Sequence, residues 1–131
     1  MPARRLPLPD ISAVPRLGAL RYGMGRIDGS GRVSDKSMLA ILGWRTGQHL
    51  AVTAVGPAVV VHPHPAGIFV VPSSRYVVLP APVRRRCGFV RGDRVFLAAD
   101  AAQGILVIHS TSALDTMLAG YHASLLGGEN V

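Results

Sequence analysis

The chain has 131 residues, a formal net charge of +7 and a hydrophobic fraction of 49%. That length fits one domain or two very small ones and excludes a multi-domain enzyme, while one cysteine excludes an internal disulfide framework and a cysteine zinc cage. Fifteen glycines and ten prolines imply many turns and argue against a helical bundle.

All but one of the 14 basic residues are arginines, whose planar guanidinium suits phosphate partners. No apolar run reaches the roughly 18 residues of a membrane span, and no apolar core of a signal peptide follows Arg4 and Arg5. The expectation is a cytoplasmic protein with no membrane partner.

Residues 1–22 read as a flexible, basic arm. Pro2, Pro7, Pro9 and Pro15 interrupt it, and it shows no sustained helical or strand period.

Residues 23–110 read as a body built from two copies of one pattern, about 24–63 and 67–110. Shifted by 45 residues, Leu42-Gly43-Trp44 falls on Cys87-Gly88-Phe89, Gly47 on Gly92, and Leu50 and Val52 on Val95 and Leu97. Val59-Val60-Val61-His62 likewise matches Leu106-Val107-Ile108-His109 at a shift of 47.

Each copy opens with a short β-prone run, Arg26-Ile27-Asp28 or Phe69-Val70-Val71, then a turn and a second short strand. A short helix follows. In the first copy Ser34 or Asp35 caps its start and Gly43 its end. In the second, Pro82 suits the first helical position and Gly88 the end. A hairpin closes each copy: Leu50–Ala54 with Ala58–Val61, and Arg94–Ala98 with Ile105–Ile108. Neither unit is large enough to hold a core alone, so the two must pack together.

Residues 111–131 read as an amphipathic helix and tail. Ser112 and Asp115 have capping-box spacing. Leu114, Met117, Leu118, Tyr121 and Leu125 share a stripe that ends at Gly127-Gly128. The helix is expected to cover the apolar segment Met38–Leu42 or to pair with a second chain.

The first copy carries Asp28-Gly29-Ser30-Gly31-Arg32-Val33 and Leu42-Gly43. The second carries Val77-Val78-Leu79-Pro80, Val83-Arg84-Arg85-Arg86-Cys87-Gly88 and Gly92-Asp93-Arg94-Val95. With these motifs both copies resemble the AbrB/MazE/SpoVT family of swapped-hairpin regulators and antitoxins. Arg75-Tyr76 replaces Gly-Arg in the second copy, and the first lacks the Pro, the paired Arg and the Gly-Asp. Two copies in one chain are also similar to the MraZ arrangement, without its characteristic motifs. The resemblance implies a mainly β fold with short helices: a swapped-hairpin β-barrel from two tandem hairpin–helix–hairpin repeats, followed by the C-terminal helix.

At 100° per residue, Val83 and Cys87 share the core side of the second helix, Arg85 points away, and Arg84 and Arg86 flank it. All three guanidinium groups then reach one outer surface. Arg32, by resemblance, lies near DNA, with Arg26 on the adjacent strand and Arg75 in the matching turn. Arg91 and Arg94 rank lower, as ordinary surface charges. The expected partner is double-stranded DNA, bound by a sequence-specific, nucleoid-associated transcriptional regulator that forms a homodimer. The alternatives are an antitoxin-like module with a protein partner at the C-terminal helix, and an RNA-binding protein.

No cofactor is expected. His62-Pro63-His64, His109 and His122 have no cysteine or carboxylate at metal-ligand spacing, so no metal site is assigned. No P-loop, nucleophile elbow, zinc-protease or Rossmann motif is present, so the chain reads as a non-enzyme.

Overall fold

The structure is a computed structural model that describes residues 20–33, 35–74 and 76–127. The arm assigned to residues 1–22 therefore lies mostly outside the described residues. Its last three residues belong to the first strand, β1 (Leu20–Arg26), which begins before the predicted body.

The remaining elements follow in order: β2 (Arg32–Val33), α1 (Lys36–Leu42), β3 (His49–Val55), β4 (Ala58–Pro63), β5 (Phe69–Val70), β6 (Val77–Val78), α2 (Ala81–Cys87), β7 (Arg94–Asp100), β8 (Ile105–Ser110) and α3 (Thr111–Leu125). The fold is mainly β, with two short helices and a longer C-terminal one.

Six strands form one antiparallel sheet in the order β1-β7-β8-β4-β3-β5, and β2 pairs with β6 in a second, two-stranded sheet. Exchange the two halves, β1 with β5, β2 with β6, β3 with β7 and β4 with β8, and both orders read the same. The halves interleave. β1 of the first half pairs with β7 of the second, and β5 of the second with β3 of the first. The central pair, β4 with β8, sets Val60 against Val107, two residues that the 47-residue shift makes equivalent. The sheet is not closed into the barrel expected from the resemblance, because β1 and β5 are its open edges.

Local chemistry repeats with the topology. Asp35 caps α1 by accepting from the backbone N–H groups of Ser37 and Met38. α2 has no side-chain cap and starts with proline in its first turn instead. Gly43 and Gly88 end the two helices at φ 71° and 73°, the left-handed region that favours glycine. The N–H of Gly47 then donates to the Val71 carbonyl at 2.8 Å, and that of Gly92 to the Ile27 carbonyl at 2.7 Å.

One core serves both halves. Ile27, Val33, Met38, Leu39, Trp44, Leu50, Val59 and Val61 from the first half join Val71, Val77, Leu79, Phe89, Val95, Leu97, Leu106 and Ile108 from the second. α1 packs on β1, β7 and β8, whereas α2 packs on β3 and β4, so each helix covers the hairpin of the other half. Met38 and Leu39 are thus buried against the sheet, so the first of the two roles expected of the C-terminal helix, covering this segment, is not what buries them.

α3 begins two residues before the predicted box, with Ser110 accepting from the Ala113 N–H. It contacts β7 and β8. None of its residues is buried, and Met117, Leu118, Tyr121 and Leu125 are exposed. Among the described residues, no helix is long and apolar enough to cross a membrane.

Candidate nucleic-acid interface

Several arginines lie around the turn between β1 and β2. Asp28 folds it. One carboxylate oxygen accepts from the backbone N–H groups of Ser30 and Arg32, each at 2.9 Å, and the Gly31 N–H donates to the Asp28 carbonyl at 3.0 Å. The other oxygen accepts from Arg32 Nε at 2.6 Å. The backbone N–H of Arg32 is the main cause of an Asp28 pKa below the ordinary carboxylate value, with the guanidinium adding to it. Arg32 in turn lies over the Tyr76 ring, 5.4 Å from its centroid.

Gly31 has φ 81°, and a Cβ there would sit 2.7 Å from the Leu79 carbonyl oxygen. The space that a side chain would take is filled by Arg84, which donates from Nη1 to that same carbonyl. Arg84 is therefore half-buried and turned inward. It does not share the outer surface with its neighbours as the helical geometry suggested, because the missing Cβ of Gly31 opens a slot that its long stem can enter. Arg85 and Arg86 remain exposed on α2, while Val83 and Cys87 face the core as predicted.

Two further arginines join the cluster. Arg26 ends β1 directly opposite Arg94 at the start of β7, and its Nη1 donates to the Gly92 carbonyl at 2.9 Å. The Arg91 side chain runs beside Gly29, its Cδ 3.6 Å from where a Cβ would be. Arg26, Arg32, Arg84, Arg91 and Arg94 therefore gather around one turn. The nearby carboxylates are Asp28 and Asp93. Asp93 accepts from the Val90 N–H at 2.9 Å, a local turn bond. Among the described residues the one ion pair is Arg32 with Asp28. Arginines facing each other across a strand pair repel, so this arrangement is suited to an anion that bridges them.

The sequence placed Arg91 and Arg94 among ordinary surface charges. What promotes them is the β1–β7 register, which joins residues more than 65 positions apart. Arg75, the matching turn residue of the second half, lies outside the described residues.

Two other candidates are less equipped. Cys87 packs against the core, and burial raises its thiol pKa, partly offset by Arg86. His109 sits across from Phe96, and burial lowers its pKa. No group of three or more potential metal ligands occurs among the described residues.

Comparison with protein-family models, with curated proteins and with solved structures finds no match for this chain.

Proposed function

We propose that the protein is a sequence-specific DNA-binding regulator of the AbrB/SpoVT type, with two swapped-hairpin units in one chain and an arginine-rich end that grips duplex DNA. The observation that carries the proposal is the convergence of Arg26, Arg32, Arg84, Arg91 and Arg94 on the 28–31 turn, with Arg85 and Arg86 extending the basic surface along α2. Phosphate contacts supply most of the affinity. Arg32 is held by Asp28 and Tyr76 and so presents its charge in a fixed direction. Arg85 and Arg86 are free to reach base edges, where an arginine fork matches the two acceptors of guanine. The assignment carries with it a cytoplasmic, nucleoid-associated location.

The test uses arginines whose guanidinium groups make no hydrogen bond or ion pair named above. The variant Arg85→Ala/Arg86→Ala/Arg91→Ala should weaken duplex binding by about tenfold or more at about 0.1 M salt, and flatten the dependence of log K on log salt by about 0.9 for each phosphate no longer neutralised. Unchanged binding with an unchanged circular dichroism spectrum overturns the assignment. Tighter binding of RNA than of duplex DNA replaces it with the RNA reading.

One observation favours a second role, an antitoxin-like contact with a partner protein. α3 exposes Met117, Leu118, Tyr121 and Leu125 on one side, in a helix of 15 residues with none buried. Such a helix is marginal without tertiary support. Removal of residues 112–131 that abolishes capture of a partner protein while sparing DNA binding would establish this role.

A further inference from the structure

The two edges of the large sheet are finished differently. β1 covers β7 along seven residues, from Leu20 opposite Asp100 to Arg26 opposite Arg94. Its counterpart β5 covers β3 at His49 and Leu50 alone. Pro63 and Pro65 precede β5 and cannot donate to a ladder, and Gly67 sits tight against the backbone at Leu50–Ala51. Beyond that point β3 has no strand on the side away from β4 among the described residues.

Which backbone groups are left over follows from the β3–β4 hairpin. Its two-residue loop, Gly56-Pro57, makes Val55 and Ala58 a hydrogen-bonded pair. Alternation then directs the N–H and C=O of Ala51, Thr53 and Val55 toward β4, and those of Val52 and Ala54 outward. The Gln48 carbonyl, in the same phase, accepts from Val71 on that outer side at 3.0 Å.

The bare segment Ala51-Val52-Thr53-Ala54-Val55 has none of the devices that protect a sheet edge: no charge, no proline and no bulge. Beside it lies an open groove of about 350 Å³, lined in part by Leu50, Val52, Thr53, Phe69 and the fully exposed Ile68.

We propose that this edge pairs with the same edge of a second copy, antiparallel, about a two-fold axis at Thr53. In that register Val52 and Ala54 of one chain exchange hydrogen bonds with Ala54 and Val52 of the other, so all four outward groups of each chain find partners. Thr53 meets Thr53 as a non-hydrogen-bonded pair, and Ala51 meets Val55. The segment is complementary to itself in side-chain size, in β-branching and in lack of charge, which is what a symmetric interface demands. The six-stranded sheet becomes one of twelve strands, with α3 and the arginine cluster left out of the joint. The pairing stands independently of the DNA-binding assignment.

The experiment measures the mass of the full chain in solution by sedimentation over a concentration series. The expected result is a concentration-dependent dimer. Val52→Pro removes an outward N–H and leaves the β4 ladder intact, and should weaken the dimer about tenfold or more. Thr53→Lys, which sets like charges face to face, should do the same.

In a Cys87→Ser background, Thr53→Cys should form a disulfide-linked dimer on mild oxidation. Directly opposed non-hydrogen-bonded residues place their Cα atoms about 4.5 Å apart, within reach of that bond. A monomer at all concentrations, a dimer unaffected by both edge substitutions, or a dimer lost on removal of residues 112–131 overturns the proposal. Circular dichroism of each variant separates loss of pairing from loss of fold.

Discussion

At equivalent points of the two short helices the first half carries Leu39 and the second Arg84. The backbone equivalence is tight: the Trp44 N–H donates to the Leu39 carbonyl at 3.1 Å and the Phe89 N–H to the Arg84 carbonyl at 2.9 Å. Leu39 is 2% exposed and belongs to the core. Arg84 occupies the matching direction with an aliphatic stem and carries its guanidinium on into the slot beside Gly31. One backbone pattern thus supports an apolar plug on one side and, on the other, the inner member of a basic cluster. The edges diverge in the same way: β1 covers β7 along seven residues, whereas among the described residues β5 covers β3 at His49 and Leu50 alone. The two halves share one frame, and different side chains at a few equivalent positions give the two ends different chemistry.

The reciprocal exchange probes this difference most severely. Leu39→Arg puts a charge into a core position that is 2% exposed, and an uncompensated buried charge costs about 3–5 kcal/mol. Against a total stability on the order of 5–15 kcal/mol, that is enough to leave much of the chain unfolded. Arg84→Leu restores the residue type of the first half. It gives up a hydrogen bond worth about 1 kcal/mol and gains apolar contact in return, so its urea midpoint should stay near that of the parent. A large loss of stability in Arg84→Leu would show that the second half depends on its arginine for folding.

Glycine provides a finer comparison. Gly31 and Gly92 have φ 81° and 88°, but a Cβ at Gly31 meets the Leu79 carbonyl and Arg84, whereas one at Gly92 meets nothing within 4 Å. Both alanine variants incur the left-handed backbone penalty of about 1 kcal/mol. Gly31→Ala adds overpacking of about 1–3 kcal/mol and evicts the Arg84 guanidinium. Gly31→Ala should therefore lower the urea midpoint clearly more than Gly92→Ala. Equal effects would mean that Arg84 leaves its slot at no cost.

Much of this frame is legible in the sequence. The repeat, both long hairpins and the glycine that ends each short helix follow from apolar spacing and turn chemistry, and the structure contains them. What escapes is whatever depends on contacts between halves. Leu20–Tyr22 carry no strand period, and Gly23 and Gly25 weaken the signal further; they become strand because β7 offers a ladder, some 75 residues along the chain. The helical wheel places Arg84 on the surface because it cannot see the slot at Gly31. Arg26 and Arg94 become neighbours only through register. The short edge is also hard to read: β5 pairs with β3 at His49 and Leu50 alone among the described residues, and Pro63 and Pro65 just before it cannot donate to a ladder.

The smallest expected effect concerns the β1–β2 turn, where the halves differ again. Asp28 organises the first turn, and the residue in the corresponding place of the second half is Pro72. Asp28→Ala removes the acceptor for two backbone N–H groups and the partner of Arg32, whereas Asp28→Asn keeps the former and loses the latter. The alanine variant should lower the melting temperature modestly at neutral pH and the asparagine variant less, with only the part due to the ion pair fading as salt is added.

Acid closes the gap by a different route. The pKa of Asp28 is lowered from 3.8 in the folded protein. Its stabilising contribution is therefore fully present above that value and is lost as pH falls through the lower, folded-state value. Melting curves of the parent and Asp28→Ala should approach each other below about pH 3.8, with no change in their separation between pH 5 and pH 7. A separation that persists to lower pH would assign the turn's stability to backbone geometry rather than to the ionised carboxylate.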